Sequence, residues 1–155
     1  MNRSSSLSRR IKEVLLDGHW VANTNFKNLI QGVTWIQASE KTMTLNSIAE
    51  ITFHINYYLS GILNVFKGGK LEIRDKYSFD LTPINSEADW NRLVEDFISN
   101  SNDFVLHVKA MSDEKLDSTF VDENYGTYQR NIEGVIEHSY YHLGQIVLIK
   151  KIIAN

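Results

Sequence analysis

The chain contains no cysteine. That absence removes disulfides, thiolate zinc sites and thiol nucleophiles together. Any metal site must come from His, Asp and Glu, and any thiol chemistry needs a thiol brought by a cosubstrate. Proline occurs once, at Pro83, so little interrupts the long periodic stretches, and an all-α fold is expected. No run approaches the roughly 18 apolar residues that span a bilayer. The basic, Ser-rich start "MNRSSSLSRR" is not followed by an apolar run of signal-peptide type, so the expected location is cytoplasmic. The net charge of -3 leaves no excess of positive charge to argue for nucleic acid or an anionic membrane as partner.

What is present is ordinary for a globular chain. Of 155 residues, 43% are apolar and 23% charged, which predicts one domain over 1–155 with a core of its own. Four main helices are expected. The first covers about Ser5 to Leu16, with Leu7, Ile11, Val14 and Leu15 on one side. After "DGHW", the stretch "NTNFKNLIQGV" adds one or two turns. The second covers about Ser47 to Phe66; Ser47 with Glu50 three residues on reads as a capping box, and "KGGK" ends it. The third covers about Glu87 to Met111, with a kink or break expected at "SNSND". The fourth covers about Thr127 to Ile153, with Ile132, Val135, Ser139, Leu143 and Ile146 toward the core. The connections at 68–86 and 112–126 are long. "KLEIRDKYSFDL" reads as a short extended segment, and roughly twenty residues without helix are expected to cover something functional.

Five histidines remain to be placed. His138 and His142 sit four apart on the fourth helix, about 5–6 Å between Cβ atoms, so their rings share one face. Two readings fit that pair: ligands of one ion, or polar residues satisfied near the core. The spacing is not the zincin motif, because Ser139 stands where that motif needs Glu. His54 borders the buried face of the second helix and can meet the pair across a bundle. His107, off the stripe of the third helix, reads as a surface residue, and His19 in a turn receives no role.

"SIAEITFHINYYLSGIL" followed by "EHSYYHLGQIVLIKK" resembles the DinB-like (DinB/YfiT-like) superfamily of metalloenzymes. The features that carry the resemblance are His54 in the second helix, the HxxxH of His138 and His142, and "HLGQI" after it. "DGHWVANTNFKNLIQGV" adds a similar opening. The resemblance implies an up-down-down-up four-helix bundle and a divalent metal, zinc or nickel, on His54, His138 and His142. Homodimers are frequent in the family, so a homodimer is expected; the faces of the first and fourth helices are open to such pairing, though no residue compels it. Some members use the metal to activate low-molecular-weight thiols for transfer, and others are regarded as metal-dependent hydrolases.

Three neutral imidazoles would leave the ion its full charge. It could then lower the pKa of a bound water toward about 7, or stabilise a cosubstrate thiolate. The affinity order of divalent metals does not choose zinc over nickel. Gln145, Glu50 and Tyr58 are candidates to orient the ligands, with Glu137 beside them. Glu50 and Glu137 also read as solvated surface charges, and Tyr57, Tyr140 and Tyr141 as packing residues. "KGGK" lacks the length and spacing of a phosphate loop. Arg74, Lys76 and Arg130 read as exposed charges, though within reach of an anionic ligand. The expected partner is a small-molecule substrate, with or without a thiol cosubstrate. The competing readings are a non-catalytic metal-binding or stress-related bundle, and a structural helical dimer with packed, metal-free histidines.

Overall fold

The computed structural model describes residues 2–154. Helix α1 (Arg3–Lys12) begins where the Asn2 side chain accepts from the Ser5 amide, and it runs directly into a π-helical turn at Glu13–Asp17. Two short helices follow, α2 (Phe26–Gln31) and α3 (Trp35–Ser39). The second of these, not anticipated from the sequence, is nucleated by a capping box between Thr34 and Gln37. The Trp90 indole donates to the Val33 carbonyl at 2.9 Å and fastens this segment to the core.

Helix α4 (Ile48–Phe66) starts with the capping box read from the sequence: Ser47 accepts from the Glu50 amide, and the Glu50 carboxylate accepts from the Ser47 amide. It stops before Gly68, whose φ of +93° lies in the left-handed region that glycine tolerates best. Helix α5 (Glu87–Lys109) is capped by Ser86 and is continuous through "SNSND", where a kink or break was expected. Two of the polar side chains there turn back on the helix, while Asn100 donates to Asn56 of α4 at 2.9 Å and Asp103 pairs with Lys67 at 3.0 Å. Ser101 donates to the Phe97 carbonyl at 2.7 Å, and Asn102 to that of Ile98 at 2.8 Å. Satisfied in this way, they do not compete with the backbone ladder. The short α6 (Asp113–Asp117) breaks up the connection before α7 (Tyr128–Ile153), which is capped by Thr127.

Helix α5 packs against both α1 and α4, while α7 packs against α4, α1 and α6. Their apolar stripes meet in one core around Trp90, Phe26, Phe97 and Phe104, all fully buried. Each such aliphatic or phenyl side chain contributes about 1.5–3 kcal/mol by leaving water. The chain is all-helical among the described residues, apart from one isolated bridge between Thr119 and Thr127. Among those residues no helix is long and apolar enough to cross a membrane.

In the connection over 67–86, the stretch "KLEIRDKYSFDL", expected to hold a short extended segment, pairs into no strand. A 3-10 turn, Asp75–Tyr77, forms in its middle because α4 supplies partners for it. The Tyr57 hydroxyl accepts from the Arg74 amide at 2.8 Å and donates to the Arg74 carbonyl at 3.0 Å. The Tyr58 hydroxyl donates to Asp75 at 2.7 Å. Higher up, the loop beds onto α4 at Gly61, where any β-carbon would overlap Ile73.

Candidate metal centre

His54 lies mid-way along α4, and His138 and His142 lie one turn apart on α7. The packing of α4 on α7 brings their Nε2 atoms together. His138 Nε2 is 3.1 Å from that of His54 and 3.0 Å from that of His142. These are the His residues whose ligand atoms lie close enough together to hold an ion.

The far nitrogens explain the orientation. His54 Nδ1 lies 3.2 Å from the Ser78 carbonyl, and His142 Nδ1 lies 2.6 Å from Gln145 Oε1. The Ser78 carbonyl can only accept, which places the His54 proton on Nδ1; with Gln145 Oε1 facing His142 Nδ1 the same holds there, and both Nε2 atoms then carry a lone pair aimed at the centre. His138 Nε2 sits between them. Protonated, it can serve one neighbour well and leaves the other lone pair facing it without a proton; unprotonated, it adds a third lone pair. A divalent cation resolves that conflict. An ion about 2.0–2.1 Å from each nitrogen sets its ligands about 3.3 Å apart in a tetrahedron or about 2.9 Å apart in an octahedron. The two spacings from His138, 3.0 and 3.1 Å, fall between those limits, and all three ligand atoms lie within 4.8 Å of one another. The residues present therefore fit a metal ion.

Electrostatics point the same way. Burial lowers the pKa of all three imidazoles, and their mutual repulsion lowers those of His54 and His138 further. His138 falls to about 4, with burial the larger cause and His142 and His54 the next. The three rings are thus neutral near pH 7, as ligation requires.

The surroundings are aromatic. Phe79, from the 67–86 connection, stacks on His54 with ring centroids 4.0 Å apart. Tyr58 stands edge-on to His54 at 5.1 Å and to His138 at 5.4 Å. Burial and the bond to Asp75 raise the Tyr58 pKa, so it stays a neutral hydroxyl. Tyr141 is edge-on to His142 at 4.9 Å but mostly exposed.

Of the residues singled out from sequence, Gln145 and Tyr58 are brought to the imidazoles and Glu50 is not. The Glu50 carboxylate caps α4 and bonds Lys41 at 2.6 Å, so it has no free oxygen to offer His54. Glu137 is exposed and paired with Arg130 at 3.1 Å. His107 is half-buried and its Nδ1 lies 2.8 Å from the Asp103 carbonyl one turn back, away from the centre. His19 is exposed, with Nδ1 3.4 Å from the Asn23 carbonyl. Ser78, Phe79 and Asp75 escaped the sequence reading; the length of their connection was the one signal that pointed to them.

A family model described as the DinB superfamily matches residues 26–146, which takes in α2 through most of α7 and all three histidines. The chain belongs to the DinB superfamily. No curated protein and no solved structure matches it.

Proposed function

We propose that this DinB-superfamily protein is a divalent-metal-dependent enzyme acting on a small molecule, with His54, His138 and His142 as ligands of zinc or nickel. The observation that carries the proposal is the pair of contacts at the far nitrogens: with the Ser78 carbonyl and Gln145 Oε1 accepting from Nδ1, His54 and His142 direct lone pairs at one point. A purely structural role for packed histidines does not call for that arrangement, since buried lone pairs left facing one another are costly. A resident ion would supply Lewis acidity to an oxygen or sulfur nucleophile entering its open positions.

Of the two reactions considered, transfer involving a low-molecular-weight thiol fits better than hydrolysis. Water attack profits from a nearby carboxylate base, and three acids that could serve are engaged elsewhere: Glu50 in its cap, Glu137 with Arg130, Asp75 with Tyr58. A thiol needs less help, because its proton is already loosely held. The chain's own part is to orient the ligands and exclude water with Phe79 and Tyr58. The proposal extends to the up-down-down-up arrangement, for which the 67–86 connection is long enough to return α5 alongside α4, and to a homodimer. Tyr141, Leu148 and Ile152 leave an apolar stripe on α7 exposed, suited to a second copy.

The test is metal content of untagged protein purified without chelators, beside the His54→Ala and His138→Ala variants, with light scattering on the same samples. About one equivalent of zinc or nickel, lost in both variants, is expected, followed by turnover with thiol cosubstrates. Absence of metal and no uptake on titration would sink the metalloenzyme reading. A mass of 17.9 kDa in light scattering would remove the dimer.

A further inference from the structure

An open cavity of about 560 Å³ adjoins His138, walled by Tyr58 and Ile62 of α4, Asn124 of the 123–125 turn, and Arg130 and Gly134 of α7. Arg130, Gly134 and His138 recur every four residues, so they lie along one side of the helix. Glycine inside a helix is a poor choice beside alanine. Here packing does not demand it, because a β-carbon at Gly134 would meet no atom within 4 Å. What the missing side chain leaves is floor space, one turn before the candidate ligand.

Arg130 supplies the positive charge of the cavity. Its partner Glu137 is 3.1 Å away, but the two side chains are 58% and 60% exposed. The guanidinium makes three contacts with that carboxylate, at 3.1–3.3 Å, but water screens a pair this exposed, so it can turn to a better-placed anion, which its fork suits when the anion is a carboxylate. Arg130 precedes His138 by two turns, about 12 Å of helix. The cavity walls between them mix apolar Ile62 with the aromatic Tyr58.

We propose that this cavity holds the body of an elongated carboxylate substrate: its reacting end at the histidines, its chain over Gly134 and its carboxylate on Arg130. Gly134 and Arg130 are thus specificity-determining residues. This assignment rests on the metal reading of His54, His138 and His142.

The test uses cobalt(II)-loaded protein titrated with mercaptoacetate, mercaptohexanoate and mercaptohexanol, following the sulfur-to-cobalt charge-transfer band. Mercaptohexanoate is expected to bind about tenfold more tightly than mercaptohexanol, the size of effect one charge-assisted contact supplies. Arg130→Gln should erase that preference. Gly134→Leu should weaken both long thiols by about tenfold or more and leave mercaptoacetate unchanged, since only the long chains cross the floor. Neither variant should alter cobalt content or the spectrum before thiol is added. Equal binding of the two long thiols by the native protein, a preference that survives Arg130→Gln, or indifference to Gly134→Leu would overturn the assignment while leaving the metal centre standing. Failure to take up cobalt at all would overturn the metal reading first, and this one with it.

Discussion

His54 takes its orientation from the Ser78 carbonyl, 24 residues away on a loop, whereas His142 takes its from Gln145, three residues away on the same helix. The α7 half of the centre is therefore self-contained: while α7 is helical, His138, His142 and Gln145 stay in register. The α4 half depends on tertiary structure, through Tyr57, Tyr58 and Phe79 holding the 67–86 connection in place. One centre thus combines a local and a non-local means of fixing an imidazole, and the two should fail separately.

Acid breaks both halves together and should have the largest effect. The ordinary histidine value is 6.5, and His138 lies near 4 in the folded chain. Between those values the unfolded chain binds more protons than the folded one, so stability rises with pH across that window. The metal-free protein should lose stability as pH falls from about 6.5 toward 4, with the loss from His138 complete below that. Urea unfolding at a series of pH values measures this, and His138→Gln should flatten the profile. A metal-loaded sample should hold its ion near pH 7 and release it within the same window, because protons and metal compete for the imidazoles.

Gln145→Ala attacks the local half alone. Loss of a hydrogen bond behind a metal-bound histidine typically costs about 10–100-fold in affinity, and that is the drop expected in a competitive zinc titration. Gln145→Glu should keep the acceptor and most of the affinity. An unchanged affinity in Gln145→Ala would mean that the helix by itself fixes the His142 ring.

Tyr58→Phe attacks the non-local half and should have the smallest effect. It removes one hydrogen bond to Asp75, worth about 1 kcal/mol, while Tyr57 still grips Arg74 through two bonds. Metal affinity should fall by less than about tenfold, and amide hydrogen exchange at 75–78 should quicken. A loss as large as that of Gln145→Ala would show that the loop hangs on a single hydroxyl.

The same division separates what was legible in the sequence from what was not. The long helices, the cap at Ser47, and the face shared by His138 and His142 follow from periodicity and from residue types with local preferences. Gln145 was readable for the same reason, being on that face. The Ser78 carbonyl was not, since every residue has one and no side-chain pattern marks the one that matters. Helices α3 and α6 are five residues each, too short to show a period. "SNSND" misled because polar residues read as a break when their partners, the carbonyls one turn back, are invisible in a sequence. Glu50 carried three sequence readings, cap, solvated charge and histidine partner, and a carboxylate engaged by the Ser47 amide and Lys41 cannot meet the last.

The use of a backbone oxygen to hold His54 bears on how this protein tolerates change. Any amino acid at position 78 still presents a carbonyl, so no side-chain identity there encodes the contact itself; the buried Ser78 hydroxyl, donating to the Asp75 carbonyl at 2.7 Å, serves the turn instead. Only an altered path of the chain, by insertion, deletion or a badly placed proline, would withdraw it. The loop surface around the centre is thereby free to diversify toward new ligands, while the atom that orients the imidazole is inherited with the backbone itself.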